Sequence, residues 1–309
     1  MRTIETRFKP MWRALLVVFG LAAGAAAAAD VLAPHISPTL AAPGDGSARR
    51  PVLVELFTSE GCSSCPPADA LLARLDQEQF VPGAQAIVLS EHVTYWNQQG
   101  WRDPFSLDDV TSRQQQYRIH FGLDGVYTPQ AVVDGATQVV GNDTEALARA
   151  IAKAASAPGL DLEIADAAWS GGAVQFKLRV GSEAIVDDSA AHNASITAVL
   201  AEDSAQTAVK SGENAGRTLR HVSVVRVIRE IGKGALDGRD LSLKPPAGVG
   251  QSGSVRLIVF ATDRHSGRVI GVAEQKLTHL QGGPTRSVAS CTQHRARLVS
   301  GFLPPRCEP

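Results

Sequence analysis

Between Val52 and Leu75 the chain changes its hydrophobic period within two dozen residues. Val52 to Phe57 is an apolar run broken only by Glu55, and it reads as a buried strand. A polar turn follows, Thr58 to Gly61, then Cys62-Ser63-Ser64-Cys65. Pro66 and Pro67 suit a first helical turn, whose N–H groups have no intrahelical partner. Ala68, Leu71, Leu72 and Leu75 then recur at helical spacing, predicting a helix over about Pro66 to Phe80. Gln85 to Ser90 is a second apolar strand, so the three segments form a βαβ unit with parallel strands and a right-handed crossover.

The pattern continues with a polar helix over Leu107 to Phe121, with Asp108 and Asp109 near its start, where the helix dipole favours acids. A short strand follows, Ala131 to Val133; Asp134-Gly135 makes a hairpin turn, and Val139-Val140 returns. Asn142 to Ser156 is the most regular helix, with Asn142 and Glu145 spaced as a capping box and Pro158-Gly159 ending it. After Leu160 the helical period disappears. Alternating stretches at Leu160–Ala165, Val174–Val180, Ile196–Leu200, Val222–Ile231, Val255–Phe260 and Val269–Leu277 are separated by Gly, Asn, Asp and Ser. Short strands without helices predict an antiparallel sandwich.

Composition changes this picture little. The 309 residues are 44% hydrophobic with a formal net charge of −1, which allows two globular domains and gives no electrostatic case for nucleic acid. The N-terminus changes it more. Arg2, Arg7, Lys9 and Arg13 precede an uncharged apolar stretch, Ala14 to Ala29, that ends in Ala27-Ala28-Ala29. That is the layout of a cleaved signal peptide, so the mature protein is expected to be periplasmic or secreted, without stable membrane insertion. Disulfides persist in that setting. The economical pairing of the four cysteines is Cys62 with Cys65, and Cys291 with Cys307 closing a Pro-rich tail.

The strand–turn–C-x-x-C–helix layout is that of a thioredoxin-like redox site. A thiolate at a helix N-terminus is favoured by the dipole and by unpaired N–H groups, which lowers the thiol pKa. The fold expected is therefore α/β, with a thioredoxin-like domain followed by a smaller all-β, sandwich-like domain. Its bounds are a signal peptide over 1–29, a leader over 30–50, the first domain over 51–158, the β-rich domain over 159–282 and a disulfide-closed tail over 283–309. In such a fold Pro129 is expected to be cis and Thr128 to present its backbone to a partner. Glu55 either meets solvent or lies beside the cysteines as a proton acceptor. His92, Tyr95 and Trp96, just after the second strand, are expected to wall the pocket, because loops at the carboxyl ends of parallel strands carry sites.

The stretches ELFTSEGCSSCPPADALL, EHVTYWNQQGWRDPF, GVYTPQAVVDG and GENAGRTLRH resemble the DUF1223 family of secreted bacterial proteins, placed in the thioredoxin-like superfamily. The resemblance runs from Val52 to about Thr278. It implies Cys62 and Cys65 as the redox pair and Pro129 as the cis proline, and implies no substrate. The chain departs from it at Thr94, where an acid is expected. The reading that follows is an exported thiol–disulfide oxidoreductase acting on protein thiols or disulfides, without cofactor or metal. Two alternatives stand beside it. One is a soft-metal protein holding copper through Cys62, Cys65 and His92, weakened because Met1 and Met11 are the only methionines. The other is a non-catalytic binding module whose cysteines staple a turn.

Overall fold

The computed structural model describes residues 49–181, 193–234, 238–250 and 253–278. The expected signal peptide, almost all of the expected leader, and Cys291 and Cys307 with their expected disulfide lie outside the described residues. Chain order is β1 (Arg50–Thr58), α1 (Pro66–Glu78), β2 (Ala84–His92), α2 (Asp108–His120), β3 (Gln130–Val133), β4 (Thr137–Val140) and α3 (Thr144–Ala155). Then follow β5 (Leu162–Ser170), β6 (Ala173–Val180), β7 (Ala194–Ala208), β8 (Thr218–Lys233), β9 (Asp240–Leu243), β10 (Ser254–Asp263) and β11 (Val269–Thr278).

β1 and β2 are parallel and joined by α1, in register from Arg50↔Ala84 to Thr58↔His92. β3 runs antiparallel to β1, and β4 to β3. α3 starts one residue later than the capping box implied. Asp143 is its N-cap, and its Oδ1 accepts the Ala146 N–H at 2.9 Å.

The expected fold, a thioredoxin-like α/β domain followed by a separate sandwich, is not what the chain forms. Of the described residues 46% are strand and 18% helix, and eight strands make one mixed sheet in the order β11-β10-β7-β8-β2-β1-β3-β4. The join is β8 beside β2, parallel, through Ser90↔Val224. The physical reason lies in β2. From Ala86 to His92 every residue is buried, so β2 is an interior strand on both faces. Left at an edge it would bury unpaired backbone groups, and β8 takes that edge. Only β5, β6 and β9 form a second sheet.

Three apolar clusters follow from this path. α1 and α3 cover one face of β1 and β3, through Val52, Val54, Leu56, Leu72, Leu75 and Ile151 among others. The small sheet packs on β7, β10 and β11 through residues such as Phe176, Leu178, Leu200 and Leu257. A third cluster brings together Leu53 and Phe57 of β1, Tyr117 of α2 and Phe260 of β10.

Asp134, in the β3–β4 turn, ties separate strands together. Asp134 and Gly135 both have positive φ (46° and 62°), as a tight hairpin turn needs. The Asp134 side chain accepts the Leu53 N–H at 2.8 Å, its N–H donates to Leu53 O at 2.9 Å, and its carbonyl accepts the Val269 N–H at 2.8 Å. One residue thereby holds β1, the turn and β11 together.

Two ion clusters add further ties. Arg256 of β10 is buried and pairs with both oxygens of Asp76 on α1, at 2.6 and 2.8 Å, and with Asp203 at 2.5 Å. Arg113 of α2 pairs with Glu55 and lies over the Phe260 ring, 4.9 Å from its centroid.

Candidate functional site

Cys62 and Cys65 form a disulfide with a Cα–Cα distance of 5.4 Å. The turn is built locally. The Cys62 N–H donates to Ser59 O at 3.1 Å and the Cys65 N–H to Cys62 O at 3.2 Å. Cys65 is the N-cap of α1, with proline in the first turn, and its carbonyl accepts the N–H groups of Ala68 and Asp69. The disulfide therefore sits at the positive end of a helix of 13 residues.

The Thr128–Pro129 bond is cis. It brings the Thr128 hydroxyl to Cys62, where Oγ1–H donates to Sγ at 3.3 Å. Trp96 fixes that hydroxyl, its Nε1–H donating to Thr128 Oγ1 at 2.8 Å. Trp96 also lies over the turn itself, since a Cβ on Gly61 would fall 3.2 Å from Trp96 Cβ. Thr128 and Trp96 thus stand with the cysteines, next to the cis Pro129.

Tyr95 is one step removed. Its hydroxyl donates to Gln114 Oε1 at 3.2 Å, and burial pushes its pKa up to about 12. His92 is fully engaged elsewhere. Its Nδ1 is 2.7 Å from Asp103 Oδ2 and its Nε2 is 3.2 Å from Ser90 Oγ. Burial works to lower the His92 pKa, but the Asp103 carboxylate outweighs it and holds the imidazole above its ordinary value; burial likewise works to raise Asp103, and His92 holds that acid low. The pair is an internal ion pair.

Glu55 takes neither of the two positions its sequence context offered. It is fully buried, but strand alternation puts it on the Leu53 and Phe57 side of β1, away from α1. There it accepts from Arg113 Nε and, at 2.5 Å, from the Tyr117 hydroxyl. Glu91 lies in the same pocket, and burial together with Glu55 raises its pKa well above the ordinary range.

Several residues the sequence did not single out complete the site. Asp69, four residues after Cys65, is buried and accepts the Thr58 hydroxyl at 2.8 Å; burial raises its pKa, with His221 and His92 opposing. Glu60 accepts the Trp101 indole N–H at 2.8 Å and faces His221 Nε2 at 3.4 Å. His221 itself comes from β8 and lies edge-on to His92, with centroids 4.6 Å apart. The one signal for Asp69 was an acid in the first turn of an otherwise apolar helix face; Glu60 and His221 fall within stretches that carry the family resemblance, without a motif of their own.

Asn214 comes from the β7–β8 connection. Its Nδ2 donates to Glu60 O and to Cys62 O, each at 2.9 Å. The soft-metal alternative lacks its ligands, because His92 has both nitrogens occupied. Among the described residues no group of three or more His, Cys, Asp or Glu is arranged to hold a metal.

Fold and site together define a mostly β protein in which a buried disulfide, Cys62–Cys65, closes a turn at a helix N-terminus, held by a cis-proline loop and by a hairpin from the second half of the chain. Residues 53–262 match the family DUF1223, described as a protein of unknown function. That match covers more than half of the chain, and the chain belongs to this family. A crystal structure of a protein from Agrobacterium tumefaciens is similar at 26% identity and a TM-score of 0.52, covering 75% of this chain and 96% of that one. HBP35 of Porphyromonas gingivalis is similar in fold, with 14% identity, a TM-score of 0.52 and 82% of each chain covered. No curated protein matches.

Among the described residues no helix is long and apolar enough to cross a membrane.

Proposed function

We propose that this protein exchanges disulfides with other proteins through Cys62 and Cys65. The observation that carries the reading is the Thr128 hydroxyl aimed at Cys62 Sγ, 3.3 Å away, beside a disulfide at the start of α1. A structural staple needs no donor on its sulfur. A thiolate does, and a hydroxyl donor together with a helix N-terminus stabilises one.

In the exchange a partner thiolate attacks Cys62 Sγ. The bond to Cys65 breaks, and Cys65 leaves as a thiolate that then takes up a proton. A second partner thiol attacks the partner's own sulfur in the mixed disulfide and releases Cys62. The partner dithiol becomes a disulfide and this protein becomes a dithiol. The reverse course reduces a partner. The central Ser63-Ser64 adds no charge, and the Ser64 hydroxyl lies 3.3 Å from Cys62 Sγ, so thiolate stabilisation here rests on the helix end and on the hydroxyls of Thr128 and Ser64.

With Cys65→Ser, the reduced protein keeps Cys62 as a lone nucleophile that nothing resolves. Mixed with an oxidised, unfolded protein substrate, it is expected to accumulate a mixed disulfide, seen as a thiol-sensitive band on a non-reducing gel. Cys62→Ser is expected to give less than about a tenth of that product. Equal trapping by the two variants, or by neither, contradicts the assignment.

A further inference from the structure

The disulfide proposed for exchange is closed off. Cys62 and Cys65 each expose 0% of their surface. Thr128 stands on Cys62 Sγ and Trp96 over Gly61, and the tip of the β7–β8 hairpin, Val209–Arg217, closes the Cys62 side of the turn through Asn214, 152 residues downstream.

That tip is a self-contained unit. Val209 N–H donates to Arg217 O and Gly216 N–H to Val209 O, both at 2.9 Å, and Arg217 N–H donates to Asn214 O at 3.1 Å. From Lys210 to Thr218 every residue is exposed except Asn214, which is 0% exposed. A single buried polar side chain on an otherwise wet loop is a plug. It caps the carbonyls of Glu60 and Cys62. Beside it, Glu213 Oε2 accepts the Ser63 N–H at 3.0 Å, and the Ser211 hydroxyl donates to Gly100 O at 2.5 Å. Gly212 packs closely enough that its Cβ would fall 3.0 Å from Trp101 Cβ.

The base of the tip is less well satisfied. His221 and Ser223 on β8 are buried; His221 faces Glu60 Oε1 at 3.4 Å and Asp69 Oδ2 at 3.8 Å, whereas Ser223 Oγ has no hydrogen-bond partner. Ser223 also has φ +48°, a conformation that a side-chain-bearing residue seldom adopts. An unpaired buried hydroxyl and backbone strain at the same residue both raise the free energy of the closed arrangement.

We infer that this hairpin tip is a lid seated where an extended partner peptide docks, and that it swings away before Cys62 is attacked. The inference rests on the exchange reading of the pair. The groups Asn214 and Glu213 now satisfy define the partner's chemistry. Two carbonyls need donors and one N–H needs an acceptor, at successive positions around Cys62. An extended polypeptide main chain alternates N–H and C=O in this way, and a folded surface rarely offers a free run of them. The fitting partner is therefore an unfolded or loop segment carrying a cysteine.

The test uses the full chain, oxidised, with Cys62/Cys65 followed by differential alkylation and peptide mass mapping. Reduction by dithiothreitol is measured over a concentration series, and exchange is measured with a reduced two-cysteine peptide. In the wild type the dithiothreitol rate is expected to level off with concentration, because lid opening becomes limiting. Asn214→Ala is expected to raise the rates with both reagents about tenfold or more, the factor that two hydrogen bonds of ordinary strength correspond to. Glu213→Ala, at an exposed position, is expected to raise them two- to threefold, about what one screened bond contributes, and it carries the test if Asn214→Ala melts early. Equal and strictly linear rates for wild type and variants overturn the lid. Acceleration with dithiothreitol but not with peptide overturns the peptide seat. If the variants are reduced faster, yet neither they nor the wild type exchange with peptide, the exchange reading fails and this inference fails with it, leaving only a cover over a structural disulfide.

Discussion

Arg113→Ala is expected to lower the unfolding free energy by about 3–5 kcal/mol, the usual cost of removing one partner from a buried ion pair. Among the described residues Arg113 is the one cation paired with Glu55, and both Glu55 and Glu91 are 0% exposed. Without it, two carboxyl groups share an apolar pocket with only the Tyr117 hydroxyl as a donor to Glu55. The guanidinium also lies 5.0 Å from the Tyr117 ring centroid and 4.9 Å from that of Phe260, so packing is lost along with charge. Urea unfolding at pH 7 measures the effect. Arg113→Met combined with Glu55→Gln removes both charges, and it is expected to recover at least half of the loss. A single variant within about 1 kcal/mol of the wild type contradicts this account of the cluster.

Asp134→Asn is expected to act in the opposite direction and to depend on pH. Burial raises the Asp134 pKa from 3.8 to about 7, against the opposing pull of the Leu53 N–H, Arg50 and Arg268. Below pH 4 the acid is protonated in both folded and unfolded chains, and it contributes nothing to the pH dependence. Between about 4 and 7 the unfolded chain releases its proton while the folded one retains it, so stability falls as pH rises through that window. Above 7 the whole penalty is in place, on the order of 2–4 kcal/mol. Asparagine keeps an oxygen for the Leu53 N–H and tolerates positive φ. The variant is expected to match the wild type near pH 4 and to exceed it by about 2 kcal/mol or more at pH 8. Parallel stability–pH curves for the two proteins rule this out.

What the sequence disclosed, it disclosed locally. The two period changes around Cys62 located β1, α1 and β2, and Asp134-Gly135 located the β3–β4 turn. Pairing between distant strands was invisible. Alternation tells which face a residue occupies and not which strand lies along its edge, so nothing in Ser90 or Val224 announced that β8 joins β2. That one join turns the expected α/β domain and separate sandwich into a continuous mixed sheet. Glu55 illustrates the same limit. Its alternation with Leu53 and Phe57 was legible, but the burial of that face by α2 and β10 was not.

The site divides in the same way. Cys62, Cys65, Thr128, Pro129 and Trp96 stand out by motif and come together in space. His92 stands out by residue type, yet it serves the Asp103 pair. Asn214 sits in a stretch that reads as ordinary turn chemistry, Gly212 to Arg217. Its burial against Cys62 depends on a contact 152 residues away in sequence, which no local pattern encodes.

The measurement closest to the central claim is the reduction potential of the Cys62/Cys65 pair in the full chain, equilibrated against glutathione or dithiothreitol and read by thiol trapping. A reversible two-electron transition between about −120 and −270 mV, the range of exchange catalysts, is the result expected here. Its position within that range tells whether the protein donates or accepts disulfides. A pair still fully oxidised below about −300 mV is a structural staple, and that result contradicts the proposed function.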